Sequence, residues 1–308
     1  GTMVGTGSGF IRGVTSNDTA TGTGQIQLSS DFTNSAQTAN GRNIGRVLNE
    51  LASSPTLTAA QQTALNALIA NATDTREGEA ILSNVSGEVQ VHAATSGLNA
   101  ALGFNEALLP AGNRTSSRNA VLINGPKQDD NESNFYEPTI SNGVWVSGLG
   151  SALSVNSNDN STAFDANGYG IAVGYDRVAS EGPSHAAVFG IGAGYSTTNV
   201  SSIRDSATVN AFSVGTYFDG SAGALSGNIA ASYSSQDVSS SASNGGSGSI
   251  FALSSEVFYN VRPNAKLAVG PIGQIGAAFG SYSGFSTNNN AFTVTYSDTD
   301  VSQANGAI

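Results

Sequence analysis

The feature that most constrains the fold is a period-two alternation that begins near Val144 and continues through the second half of the 308-residue chain. Between Tyr169 and Tyr175 the odd positions are Tyr, Ile, Val and Tyr, and the even positions between them are Gly, Ala and Gly. Successive side chains of a strand point to opposite faces, so one face is bulky and apolar and the other carries small residues. The pattern predicts β-strands rather than helices.

Eight segments share this alternation, and they predict eight antiparallel strands. They are 144–153, 169–177, 186–195, 208–218, 225–233, 251–259, 267–279 and 292–296. The connections alternate between short turns and long Ser/Asn/Gly-rich loops, which we place at 154–167, 198–206, 235–248 and 280–290. Short turns on one side and long loops on the other are typical of outer-membrane barrels.

The two faces discriminate a membrane barrel from a soluble two-sheet sandwich. The apolar face often ends in an aromatic residue, as expected at the two headgroup boundaries of a bilayer. The lipid-facing aromatic candidates are Tyr169, Tyr175, Phe189, Tyr195, Phe212, Phe218, Tyr233 and Tyr259. The lumen-facing candidates on the small face are Gly170, Asp176, Glu256, Lys266 and Gln274. A sandwich would pack bulky residues on that face, so we favour a mainly β fold, an up-and-down antiparallel transmembrane β-barrel, and keep the sandwich as the alternative.

Composition excludes several other classes of function. The chain has no cysteine and only two histidines, His92 and His185, so disulfides and thiolate metal sites are excluded, and we expect no cofactor, no metal and no catalytic residue. The formal net charge of −11 argues against a nucleic-acid partner. Low charge with plentiful Gly, Ser and Asn favours an outer-surface protein of a Gram-negative-type bacterium. The sequence has no apolar run long enough for a transmembrane helix. Its first residues, GTMVGTGSGF, lack the basic and apolar regions of a signal peptide, and we interpret both ends as cut points in a longer precursor.

The first half of the chain is different in character. Residues 1–35 are Gly/Thr-rich and are interpreted as the tail of a preceding passenger or a linker, and 36–109 as a helical pre-barrel region. Apolar spacing predicts three helices, over 37–52, 58–72 and 76–108, with Thr58 and Asp74 or Thr75 as caps. Residues 110–142 contain three prolines and are interpreted as a connector or plug segment, and 143–308 as the barrel.

Four segments carry a resemblance to a known family. TANGRNIGRVLNEL (38–51) and EGEAILSNVSGEVQVHAATSGL (77–98) resemble the pre-barrel region of monomeric autotransporters of type V secretion, with Ser86, Gly87 and Glu88 matching outright. VWVSGLGSAL (144–153) and GYGIAVGYDR (168–177) are similar to that family's first two barrel strands. The four segments occur in the family's order and spacing, and the resemblance covers about residues 35–308.

The resemblance implies an outer-membrane translocator that exports an upstream passenger and anchors it at the cell surface. It also implies outer-membrane lipid, the barrel-insertion machinery and the chain's own N-terminal passenger as partners. A helix ending within 100–140 would finally plug the lumen, and Arg114 and Arg118 are expected to pair with lumenal carboxylates. The family's barrel has about twelve strands and a terminal aromatic residue, so we expect this sequence to be a C-terminally truncated barrel.

Some site candidates have competing interpretations. The Ser86-Gly87-Glu88 motif is either a contact with the passenger or plain helix surface with a glycine kink. Asp176 and Arg177 are either lumenal charges that grip the plug or an ion pair near a turn. The alternative function is a soluble β-rich surface adhesin that binds a host or matrix ligand; a third hypothesis is an enzymatic passenger whose active site lies outside these residues.

Overall fold

The computed structural model describes most of the helical region and of the strands. The described residues are 9–17, 24–109, 142–182, 185–203, 205–222, 224–241, 245–259, 261–264, 267–289 and 292–307. The expectations for the connector, including those for Arg114 and Arg118, lie outside these ranges, apart from Asn142 at its end.

A hairpin and a helical region come first. Strands β1 (Ile11–Asn17) and β2 (Gly24–Ser30) pair antiparallel, and a short 3₁₀ turn follows. Four helices come next: α1 (Ala39–Ala52), α2 (Ala59–Asn71), α3 (Thr75–Ser86) and α4 (Glu88–Leu108).

The helix starts follow from capping. The Thr38, Thr58 and Asp74 side chains each accept a hydrogen bond from a backbone N–H in the first turn of α1, α2 and α3. These caps satisfy donors that a helix start leaves unpaired. The predicted caps Thr58 and Asp74 are thereby confirmed.

The third predicted helix, 76–108, is in fact two helices. It breaks at Gly87, whose φ of 69° and ψ of 22° lie in the left-handed region. Glycine adopts this conformation without the steric cost that other residues incur, so the chain can end α3 there and begin α4 at the next residue.

The barrel region forms one eight-stranded antiparallel sheet with the order β14-β11-β8-β7-β6-β5-β4-β3. Its strands are β3 (Gly143–Val155), β4 (Phe164–Gly182), β5 (His185–Ser201), β6 (Ser206–Ala222), β7 (Leu225–Ser240), β8 (Gly246–Tyr259), β11 (Ile272–Tyr282) and β14 (Thr299–Ala307). In the described chain β3 and β14, the two ends of this order, are not hydrogen-bonded to each other. The predicted mainly β, antiparallel architecture with a helical region before it is confirmed.

The last two predicted strands need correction. The segment predicted as 267–279 is interrupted at Pro271, which has no N–H for a sheet ladder. Residues before it form a separate hairpin, β9 (Val261–Asn264) with β10 (Leu267–Val269). The segment predicted as 292–296 is also outside the sheet. Among the described strands, β13 (Phe292–Thr295) pairs with β12 (Ser286–Asn289) alone, and the eighth strand of the sheet is β14.

The sheet is wrapped around α4. Residues of α4 approach all eight strands. Eight flat strands would span about 34 Å at about 4.8 Å each, whereas a helix is about 10–12 Å across. The sheet must therefore curl about the helix. We call the face that contacts α4 the inner face and the opposite one the outer face.

Two apolar cores hold these parts together. One lies between α4 and the inner face and includes Leu98, Leu102, Val209 and Ile250. The other lies within the helical region, where Phe10 and Phe32 pack with residues of α1, α2 and α3. No helix in the described part of the chain is long and apolar enough to cross a membrane.

Candidate functional site

The outer face is a continuous apolar surface. On β4, Tyr169, Ile171, Val173 and Tyr175 are 45–63% exposed, while Ala172 between them is fully buried. The aromatic candidates named from the sequence are all exposed on this face, at 44–63%: Tyr169, Tyr175, Phe189, Tyr195, Phe212, Phe218, Tyr233 and Tyr259. The alternation predicted from the sequence is therefore present with the expected phase.

The aromatic side chains of this face form cross-strand pairs. Phe189 is directly opposite Phe218, and Tyr195 is directly opposite Phe212. Tyr195 is six positions after Phe189 on β5, which corresponds to about 20 Å along the strand. Two aromatic rows with an apolar zone between them match the girdles of a membrane barrel.

Glycines on the inner face make room for apolar side chains of α4. A Cβ added at Gly192 would lie 2.7 Å from a methyl carbon of Leu108, and one at Gly194 would lie 2.8 Å from the ring of Phe104. Leu108 and Phe104 are 0% and 1% exposed. The small residues of this face are therefore where the helix is seated, and they do not line an empty space.

One glycine of α4 has the reverse role. Gly97 faces β7 and β11, and a Cβ there would overlap the Tyr282 hydroxyl and the Gln236 amide. The Gln236 Nε2 donates to the Gly97 carbonyl at 3.0 Å, and the Tyr282 hydroxyl donates to Gln236 Oε1. Gln236 is fully buried, so these bonds satisfy polar groups that are costly to leave unpaired.

Two further polar contacts fix the register of α4. Asn105 Nδ2 donates to Ser254 Oγ at 3.3 Å, and Gln303 Nε2 donates to Asn99 Oδ1 at 3.1 Å. These bonds reach β8 and β14, on the side of the sheet away from β3. Along the described strands, the shape of the glycine-lined inner face and these hydrogen bonds position the helix.

The lumen-facing candidates are on the inner face where the structure describes them. Gly170 and Asp176 alternate with exposed residues of β4, and Glu256 is 8% exposed. The Gln274 amide donates to the Glu256 carboxylate. Lys266 lies outside the described residues.

Asp176 and Arg177 do not act together on α4. They are adjacent in β4, so their side chains point to opposite faces, and Arg177 is exposed on the outer one. The hypothesis that both are lumenal charges is wrong for Arg177.

A cavity of about 370 Å³ lies beside the C-terminal half of α4. Glu106, Ser254 and Glu256 are among its polar lining residues, and Leu102 and Ile275 are among its apolar ones. The plug hypothesis predicts that part of the segment 100–140 contacts the inner face of β4 or β5. Phe104 and Leu108 make this contact with β5.

The Ser86-Gly87-Glu88 motif is the turn between α3 and α4. Ser86 Oγ donates to the Ser83 carbonyl, and Glu88 is 2% exposed, so the motif is not plain helix surface. Glu88 Oε2 accepts hydrogen bonds from Ser83 Oγ at 3.0 Å and from Thr162 Oγ1 and N at 2.7 and 3.1 Å. Thr162 precedes β4, so the motif contacts a loop of the sheet.

The two histidines occupy unrelated places. The His92 ring stacks on Phe164 with centroids 4.2 Å apart, and neither ring nitrogen has a hydrogen-bond partner among the described residues. The exposed His185 lies 3.0 Å from Ser180 Oγ beside a turn of the sheet. Among the described residues, no three His, Asp or Glu side chains lie close enough together to hold a metal ion.

The sequence interpretation missed Gly97, Gln236 and Tyr282. Gln236 was placed in a predicted loop because its neighbours are serines, although β7 continues to Ser240. The alternation of Ser234, Gln236 and Val238 with exposed residues was the available signal. Nothing in the sequence indicates that Gly97 contacts these strands.

Comparison with known proteins gives one family. The model of the autotransporter β-domain matches residues 144–308. No curated protein matches the chain. The match covers more than half of the chain and coincides with the sheet that surrounds α4, and the chain belongs to the autotransporter β-domain family.

Proposed function

We propose that this chain carries an upstream passenger across the outer membrane and then holds it at the cell surface, with α4 closing the lumen. The family is an outer-membrane β-barrel family whose β-domain has a transport role. The observation that supports the finer proposal is the position of α4, which approaches all eight strands and fills the glycine-lined inner face. A chain that leads outward through a barrel ends with a segment inside it, and α4 is that segment.

The position of α4 relative to the two ends of the sheet supports a direction of export. We call the end with the connections β3–β4, β5–β6, β7–β8 and β11–β14 the loop end. The start of α4 lies at the loop end, where Glu88 meets Thr162, and Leu108 near its C-terminal end lies at Gly192, in the middle of β5. The described helical region is thereby on the loop side, which in this proposal is the cell exterior, and the passenger would precede it on that side.

The proposal includes three partners. Outer-membrane lipid covers the outer face, because its exposed Tyr, Phe, Ile and Val side chains gain about 1.5–3 kcal/mol each when removed from water. The passenger is the chain N-terminal to the helical region. The barrel-insertion machinery is the third partner. Unpaired strand edges are costly in lipid, so the sheet has to close while it enters the membrane, and the machinery would assist this step.

The soluble adhesin remains the alternative function, but the inner face does not support it. A sandwich would pack a second sheet of bulky residues there, whereas the described inner face is covered by a single helix.

An epitope placed before Phe10 tests the proposal. In intact cells we expect antibody or added protease to reach the epitope, and deletion of 144–308 should abolish this exposure. Detection only after the outer membrane is permeabilised would contradict export. A control epitope inserted between Gly182 and His185, which pair at the end of the sheet opposite the loop end, should stay protected in intact cells.

A further inference from the structure

We infer that the Ser86-Gly87-Glu88 turn is a depth stop, which fixes how far α4 enters the barrel by docking against loops from opposite edges of the sheet. The inference rests on the proposed function, because it assumes that α4 is the segment left in the lumen after export.

The first contact of the depth stop is made at Gly87. A Cβ on Gly87 would lie 2.9 Å from the Phe285 ring and 3.3 Å from the Tyr296 ring, so the two rings lie directly on the turn. These rings stack on each other with centroids 4.5 Å apart. The Tyr296 hydroxyl also donates to the Val85 carbonyl at 2.6 Å, which pairs an acceptor at the end of α3. Both aromatic residues belong to the connection between β11 and β14.

The second contact of the depth stop is made by Glu88. It accepts two hydrogen bonds from Thr162, in the connection between β3 and β4. A buried carboxylate is costly unless it is hydrogen-bonded, and Thr162 supplies two of the three hydrogen bonds that Glu88 Oε2 accepts, so Thr162 favours Glu88 at this depth. If α4 moved by one turn, the carboxylate would lose these donors.

Adjacent residues of the turn therefore hold opposite edges of the sheet. The β3–β4 connection lies at one end of the strand order and the β11–β14 connection at the other. A third contact lies near the middle, where Asn84 Nδ2 donates to Asp205 Oδ1 at 2.7 Å in the β5–β6 connection. The turn can be completed only when loops from across the sheet are in place.

The helical region prevents movement past this point. The α1, α2 and α3 helices share a core with Phe10 and Phe32, and together they are wider than the single helix that the sheet encloses. The start of α1 also rests on the β3–β4 connection, where the Ala39 N–H donates to the Asp159 carbonyl at 2.5 Å. Glu88 and Gly87 are thus positioning residues between a wide body and a narrow helix.

Cross-linking in outer-membrane fractions tests the depth stop. The chain has no cysteine, so introduced pairs report without background. Gln303→Cys is combined in turn with Thr95→Cys, Asn99→Cys or Gly103→Cys, which lie about 6 Å apart along α4. With a short bifunctional thiol reagent, the Asn99 pair should dominate in the otherwise native protein, because these side chains are in contact.

Glu88→Ala should reduce the preference for the Asn99 pair by at least about tenfold and raise the yield of a neighbouring pair, since it removes hydrogen bonds to a charged group. Glu88→Gln, which keeps an acceptor, should restore part of the preference. Glu106→Ala is the matched control on the same helix and should leave the pattern unchanged. Thr162→Val removes the hydroxyl donor but keeps the backbone N–H donor, so it should reduce the preference less than Glu88→Ala does, and it provides the test if Glu88→Ala does not fold.

The outcomes separate the two proposals. An unchanged cross-link pattern in folded Glu88→Ala or Thr162→Val would overturn the depth stop alone. Failure of the native protein to cross-link at Asn99 would contradict the position of α4 in the lumen, and with it the proposed function.

Discussion

Gln236 of β7 donates a hydrogen bond to the carbonyl of Gly97, in the middle of α4. The helix approaches β7 so closely at this point that position 97 has no room for a side chain. We expect Gly97→Ala to push α4 away from β7, because a Cβ would overlap Gln236 and Tyr282, and overpacking a close contact costs about 1–3 kcal/mol. In planar bilayers the variant should show longer or larger openings than the native protein.

Gly103→Ala is the matched control, because a Cβ at Gly103 has no heavy atom within 4 Å. Both substitutions raise helix propensity by about 1 kcal/mol, so a difference between them reports packing alone. Equal conductance of the two variants would count against the close packing of α4 on β7.

Substitution by lysine at adjacent positions should distinguish the two faces of β8. Leu253 is 40% exposed on the outer face, and the adjacent Ser254 borders the inner cavity that Glu106 and Glu256 also line. In lipid, Leu253→Lys should lower the free energy of unfolding from the membrane by about 2–4 kcal/mol, and Ser254→Lys should lower it much less. Urea titration of the barrel in vesicles measures both, and a similar cost for both would refute the assignment of the faces.

The buried His92 should be replaceable with a gain in stability. Its two ring nitrogens have no hydrogen-bond partner among the described residues, and each buried unsatisfied group costs about 1–3 kcal/mol. His92→Phe keeps the stack on Phe164 and removes the polar atoms, so we expect the free energy of unfolding to rise by about 1 kcal/mol. The exposed His185→Phe is the control and should change little; a loss of stability in His92→Phe would show that the ring nitrogens have partners.

Alkaline pH should release the β11–β14 connection from the turn. Burial raises the pKa of Tyr296 to about 12. Its unfolded value is about 10, so its contribution is complete below pH about 10 and is lost as the pH rises toward 12. Protease cleavage of the 283–298 connection should therefore increase over this range. Tyr296→Phe, which cannot ionise, should be cleaved at a rate that does not change over this range, and an identical pH profile for the two proteins would contradict the role of Tyr296.

The face on which each strand residue lies could be predicted from the sequence, because burial of one face imposes a strict period of two. The alternation was misleading at β13, where Phe292 and Val294 alternate in sequence as they would in a barrel strand, yet among the described strands β13 pairs with β12 alone. The strand that does join the sheet, β14, has Val301 as its one large aliphatic residue, so its sequence carries almost no alternation. The contacts of Gly87, Gly97 and Gln236 join segments far apart in sequence, and local patterns do not predict such contacts.

Trp145 tests most directly which face of the sheet meets lipid. It is the only tryptophan of the chain and is 5% exposed on the inner face, where its Nε1 donates to the Tyr217 hydroxyl at 2.9 Å. The next residue, Val146, is 63% exposed on the outer face. In vesicles of brominated lipid, the fluorescence of the native protein should be quenched little, whereas the double variant Trp145→Phe with Val146→Trp should be quenched strongly. Strong quenching of the native Trp145, or none of the relocated tryptophan, would contradict the account.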